Sequence, residues 1–203
     1  MTLSTQDGPG LSLEDVLGPV RDQYLVAFLN AVRRAQNNGN EPDVEPVRHD
    51  TDGTIIRSGL LNLPARCDCA GDADGQNRTL RMEPLTLLHQ EPYRFVIGGT
   101  LTCEIEPFHW HDVWLSTAPT CHSALLMRLR LWYLDWFQDR IVDASDTLSG
   151  AVHRLNGPME HDSCHWFHLD LGTAPLEALT TLLDLLSAGQ IRLCAIGQRP
   201  AFE

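Results

Sequence analysis

Apolar residues recur at helical spacing near the start of the chain. Val20, Tyr24, Ala27, Phe28, Ala31, Val32 and Ala35 form one stripe over residues 19–36, the period that places side chains on one face of an α-helix. Residues 1–18 precede it as an N-terminal segment, in which Ser12 and Asp15 stand at capping-box spacing. Pro19 fits a first turn and Asn37-Asn38-Gly39 stops the helix. Residues 37–53 are polar, carry two prolines and predict a connecting loop.

The pattern then changes to strand-like alternation. Thr54–Arg66 and Arg78–His89 are predicted strands on either side of a turn-rich stretch. In Tyr93–Phe108 the residues Leu101, Cys103 and Ile105 face one way, with Thr100, Thr102, Glu104 and Glu106 facing the other. Such a carboxylate pair on one strand face reads first as a solvated surface. His111–Ser116 predicts another short strand.

Segment 123–142 carries two signals. Leu125, Leu126, Leu129, Trp132, Tyr133, Trp136, Phe137 and Ile141 fit a helix, while the run RLRLWYL also alternates like a strand. The lack of a β-branched residue between 121 and 140 favours the helix. Further on, Gly150–Leu155 and Cys164–Leu171 predict strands with a turn at Asn156-Gly157-Pro158 between them. Thr173 is the expected cap of a helix whose Leu176, Leu179, Leu183 and Leu186 face the core. Gly189 ends that helix and Ile191–Ile196 is a last strand. The expected fold is a single α+β domain over residues 1–203, with a largely antiparallel sheet, helices mainly on one face and a C-terminal β-β-α-β unit.

Length and charge narrow the function. The chain has 203 residues, 43% of them hydrophobic, which is enough for a core of its own. Its formal net charge is −12, and all 15 basic residues are Arg. Without lysine there is no Walker A motif and no Schiff-base chemistry. An acidic chain repels nucleic-acid phosphate and anionic lipid and attracts basic partners. No apolar run approaches a membrane span, and the N-terminus lacks the pattern of a signal peptide, so a cytoplasmic location is expected. Six scattered cysteines are then expected as thiols.

Two constellations carry chemistry. Asp135, Asp139, Asp143 and Asp146 are spaced 4, 4 and 3 apart. If the 123–142 helix runs on, they form an acidic stripe whose self-repulsion invites a contact role toward Arg or Lys. If it ends near Val142, Asp143 and Asp146 are turn and cap residues. Trp136 beside the stripe is either core or a hot-spot anchor. The second constellation is nine histidines. His109 and His111 are placed to share a metal if they lie on a strand. His161, His165 and His168 form a second cluster, but on a strand His165 and His168 point to opposite faces. Either these are polar positions of a sheet, or His109, His111 and one of the later three hold zinc in a hydrolase-like site. The first expectation is an inhibitor or immunity-type module, without cofactor, that captures a basic protein partner. The analogy to immunity proteins is one of composition alone.

Overall fold

Helix α1 (Leu13–Asn37) opens the fold in a computed structural model, which describes residues 10–39, 43–67, 69–71, 77–88, 91–138 and 148–199. Its capping box forms as expected: Asp15 N donates to Ser12 Oγ at 3.1 Å and Ser12 N donates to Asp15 Oδ2 at 2.8 Å. The buried face is Val16, Leu17, Val20, Tyr24, Phe28, Ala31 and Val32, and the helix begins at Leu13, ahead of the stripe over residues 19–36 that predicted it.

The middle of the chain departs from the two long strands expected there. Only short pairs form: β1 (Arg57–Ser58) with β2 (Leu63–Pro64), and β3 (Cys69–Gly71) with β4 (Asn77–Thr79). Gly59 and Asn62 take positive φ, closing a tight turn with Asn62 N bonded to Gly59 O at 3.0 Å. That turn cuts the first segment short.

The main sheet begins with the hairpin β5 (Tyr93–Ile97) and β6 (Leu101–Ile105). Gly98, at φ 56°, turns the chain against the helix that carries Ser187, and a Cβ there would lie 2.6 Å from Ser187 Oγ. Next come β7 (Val113–Ala118), α2 (Ser123–Phe137), β8 (Arg154–His161), β9 (Cys164–Asp170), α3 (Leu176–Ala188) and β10 (Leu193–Gly197). Strand order is β5-β6-β10-β7-β9-β8, and only the β10–β6 pair is parallel. The expected 156–158 turn is instead an irregularity inside β8, where register shifts between Asn156 and Met159. The hairpin turn falls at Asp162 and Ser163, both at positive φ.

Helices cover one face of this sheet. Leu101, Cys103, Ile105, Val113, Leu115, Phe167, Leu169, Cys194 and Ile196 are buried together with the apolar faces of all three helices. On the opposite face Val96 and Leu193 stay 66% and 55% exposed. α2 and α3 pack antiparallel: Trp132 Nε1 donates to Ala178 O at 3.1 Å, and Leu125 closes on Gly189 at the other end. Among the described residues no helix is long and apolar enough to cross a membrane.

Leu169 has no exposed surface and Leu193 has 55%. Leu169→Ala is therefore expected to cost about 2–5 kcal/mol, and Leu193→Ala less than about 0.5 kcal/mol. Urea unfolding of the two variants checks this; equal losses would show that something covers the outer face.

Candidate functional site

The most constrained polar group lies in the loop predicted only as a connector. Glu45 is fully buried with φ 56°. Its Oε1 takes hydrogen bonds from His153 Nε2 at 2.5 Å, Thr173 Oγ1 at 2.6 Å and Thr173 N at 3.3 Å. Its Oε2 takes them from Ser149 Oγ at 2.7 Å and Ser149 N at 2.8 Å. Burial pushes this carboxyl up, but His153, Ser149 and Thr173 outweigh it and hold the pKa down at about 2. An ionised carboxylate only accepts, so the His153 Nε2 must carry the proton it shares with Glu45.

A ring of further bonds fixes this node. Arg66 Nη1 donates to Glu45 O at 2.9 Å, while its Nε and Nη2 donate to Phe137 O at 3.0 and 2.9 Å. Tyr133 Oη lies 3.0 Å from His153 O and 2.7 Å from Pro64 O. Burial, then Asp170, push the Tyr133 hydroxyl well above its ordinary range, so it stays a neutral donor. Gly172 closes over the imidazole: a Cβ there would sit 2.2 Å from His153 Cδ2, and its φ is 51°. Thr173 therefore serves Glu45 and not the helix; the N-cap of α3 is Pro175, with no side-chain cap. Glu45, His153 and Ser149 carry no local motif, and the capping position of Thr173 pointed to a different role. The available signal was His153 itself, which together with Arg154 interrupts an apolar run of Ala151, Val152 and Leu155.

The same ring explains where α2 ends. The expected helix over 123–142 stops at Phe137, and Gln138 is extended at ψ 151°. The carbonyls that residues 140 and 141 would have claimed are taken by others. Val152 N bonds to Trp136 O at 2.9 Å, and Arg66 holds Phe137 O. Asp135 is exposed on the helix, whereas Asp139, Asp143 and Asp146 lie outside the described residues. Trp136 is 7% exposed and belongs to the core, so it does not present the anchor expected of it. The outward stripe of α2 is instead Ala124, Met127, Arg128, Leu131 and Asp135.

The histidines separate into different places. His109 and His111 flank Trp110 in a tight turn, not a strand, with Asp112 N bonded to His109 O at 2.9 Å. Trp110 is fully buried and donates Nε1–H to Gly172 O at 3.0 Å, and the half-buried imidazoles on either side of it stack on each other with centroids 5.9 Å apart. His165 and His168 do point to opposite faces. His165 Nδ1 accepts from Cys121 N at 3.0 Å; His168 pairs with Asp112 at 2.9 Å and stacks on Trp114 with centroids 4.9 Å apart. His161 is exposed, 3.3 Å from Asp162. Among the described residues no three His, Cys, Asp or Glu side chains come together to hold a metal ion. The expected zinc set of His109, His111 and one of His161, His165 or His168 is not assembled.

His109 and His111 instead line an open cleft of about 650 Å³ together with residues 80–85. Arg34 of α1 pairs with Glu83, one of the cleft's lining residues. Comparison with protein-family models, with curated proteins and with solved structures finds no match to this chain.

Two outcomes follow from the Glu45 node. The unfolded carboxyl takes up a proton near 4.5 and the folded one only near 2. The stability it confers, about 3 kcal/mol, is complete above the higher value and is lost as pH falls toward the lower. Glu45→Gln should remove a similar amount at pH 7, and the gap between the two proteins should close as acid is added. Urea unfolding from pH 7 to 2.5 measures it; a constant gap would contradict the assignment. Gly172→Ala, by contrast, places a methyl group inside the His153 ring and should destabilise by about 2–5 kcal/mol at any pH, read as a lowered Tm.

Proposed function

We propose that this protein is a small acidic cytoplasmic module that captures a basic protein partner, in the manner of an inhibitor or immunity-type protein, and that it does so with the outer faces of α2 and α3. The observation that carries this reading is an exposed apolar anchor, Leu131, on a face with three carboxylates, Asp135, Glu177 and Asp184, and one guanidinium, Arg128. Leu131 and Met127 are 57% and 54% exposed on the outward stripe of α2, with Asp135 one turn beyond Leu131. The outward stripe of α3 is Glu177, Thr181, Asp184 and Ala188, and α3 contains no basic residue. The antiparallel packing puts Asp135 at the same end as Glu177, so Leu131 lies between those two carboxylates and Asp184.

A face of this kind recognises a partner in two steps. Carboxylates steer an Arg- or Lys-bearing surface into contact, raising the rate of encounter, and are worth little individually once there. Burial of Leu131 then supplies about 1.5–3 kcal/mol and slows release. The net charge of −12 extends the steering beyond this face, and Asp139, Asp143 and Asp146 follow α2 directly in the sequence.

The zinc-hydrolase alternative needs imidazoles that the described residues do not bring together, and it is not adopted. The test is stopped-flow association of the full chain with an arginine-rich amphipathic peptide at low and at physiological salt. Asp135→Asn with Asp139→Asn should slow association several-fold at low salt. Leu131→Ala should leave association unchanged and speed dissociation about tenfold. An association rate that ignores salt and the double substitution would overturn the reading.

A further inference from the structure

The cleft beside α1 is independent of the helical face. Four rings lead into it from the core. Phe28, fully buried, stacks on Tyr24 with centroids 5.8 Å apart; Tyr24 stacks on His111 at 5.6 Å, and His111 on His109 at 5.9 Å. The interplanar angles are 20°, 24° and 29°, so the rings run nearly parallel. The ladder ends at His109, which is half-buried at the cleft wall. Its exposed side is where a further flat ring continues the stack.

The remaining walls divide by chemistry. Leu80, Met82, Pro84 and Leu85 supply an apolar side, and a thioether among them suits a ring edge. Arg81 and Glu83 supply the charges. Glu83 is neutralised by Arg34, which also donates to Arg81 O at 3.5 Å. Arg81 is exposed, and among the described residues none takes its guanidinium. The cleft thus presents one uncompensated cation on a molecule of net charge −12, beside a stacking ladder and an apolar wall. Its volume of about 650 Å³ lies in the range of small-molecule sites.

We infer that this cleft binds a small planar aromatic carboxylate, its ring stacked on His109 and its carboxylate paired with Arg81. A guanidinium matches a carboxylate through two parallel hydrogen bonds. One guanidinium suits a single carboxylate better than a nucleotide phosphate, which asks for more donors.

The test is titration of the full chain with 2-naphthoate, followed by calorimetry and by the imidazole resonances in NMR. Naphthoate should bind saturably at one site and shift His109 and His111, leaving His161 unmoved. Arg81→Gln, at an exposed position, should weaken binding at least tenfold with Tm unchanged. His109→Ala should weaken it several-fold, and 2-naphthalenemethanol should bind the native protein at least tenfold more weakly than naphthoate. Equal affinity for the alcohol, unchanged affinity in Arg81→Gln, no saturable binding, or tighter binding of adenosine monophosphate would each overturn the assignment.

Discussion

A carboxylate taken out of water must have its lone pairs answered, and the Glu45 side chain is answered five times over by His153, Thr173 and Ser149. It joins the loop before β1 to the segment entering β8, the residues entering α3 and the stretch after α2. A carboxylate so buried would be a large liability if one partner were missing. With all partners present it fixes geometry that apolar packing would leave free, since each bond has a direction. The positive φ of Glu45 and the glycine required at 172 are local strains held in place by this arrangement.

The reach of the node extends to the helical layer. Arg66 reads both ends of the same corner, the backbone of Glu45 and the last carbonyl of α2. Helix ends leave carbonyls without partners, and here a guanidinium 71 residues away in the chain supplies one. The length of α2, and with it the span of its outward stripe, is thus set by tertiary contacts and not by local propensity. Residues up to Ile141 keep the apolar helical spacing, yet the helix has already been stopped.

This explains which parts of the structure could be read from the sequence. α1, its capping box, the β6 face and the C-terminal β-β-α-β unit each rest on a period of two or 3.6 residues, which is local information. The opposite facing of His165 and His168 followed from the same alternation. What escaped was long-range. Glu45 meets His153 and Thr173 across 108 and 128 residues, and nothing in a polar, proline-flanked loop announces a buried anion. Thr173 had a good local role as a helix cap and was diverted to a distant one. Thr54–Arg66 alternates like a strand, but the tight turn at Gly59 and Asn62, both at positive φ, leaves only the short pairing of β1 with β2 there. Trp136 was ambiguous in principle, because an aromatic at helical spacing reads the same whether it faces a core or a partner.

Charge is also distributed with more structure than a net value conveys. The outward stripe of α3 carries only carboxylates among its ionisable groups, and that of α2 adds Asp135 and Arg128 on either side of Leu131. The cleft beside α1 gathers Arg34 and Arg81 against Glu83, so it is locally cationic within an acidic molecule. On the readings proposed above, these two environments would select opposite partners: a cationic polypeptide surface at the helices, an anion with a flat body at the cleft. Each is screened from the other because surface fields fade within about 8 Å at physiological salt. A rigid one-sided sheet, locked at the Glu45 corner, is what allows both to be held at once. The helices that carry the acidic face are anchored by the same core whose outermost aromatic ring forms the wall of the cleft.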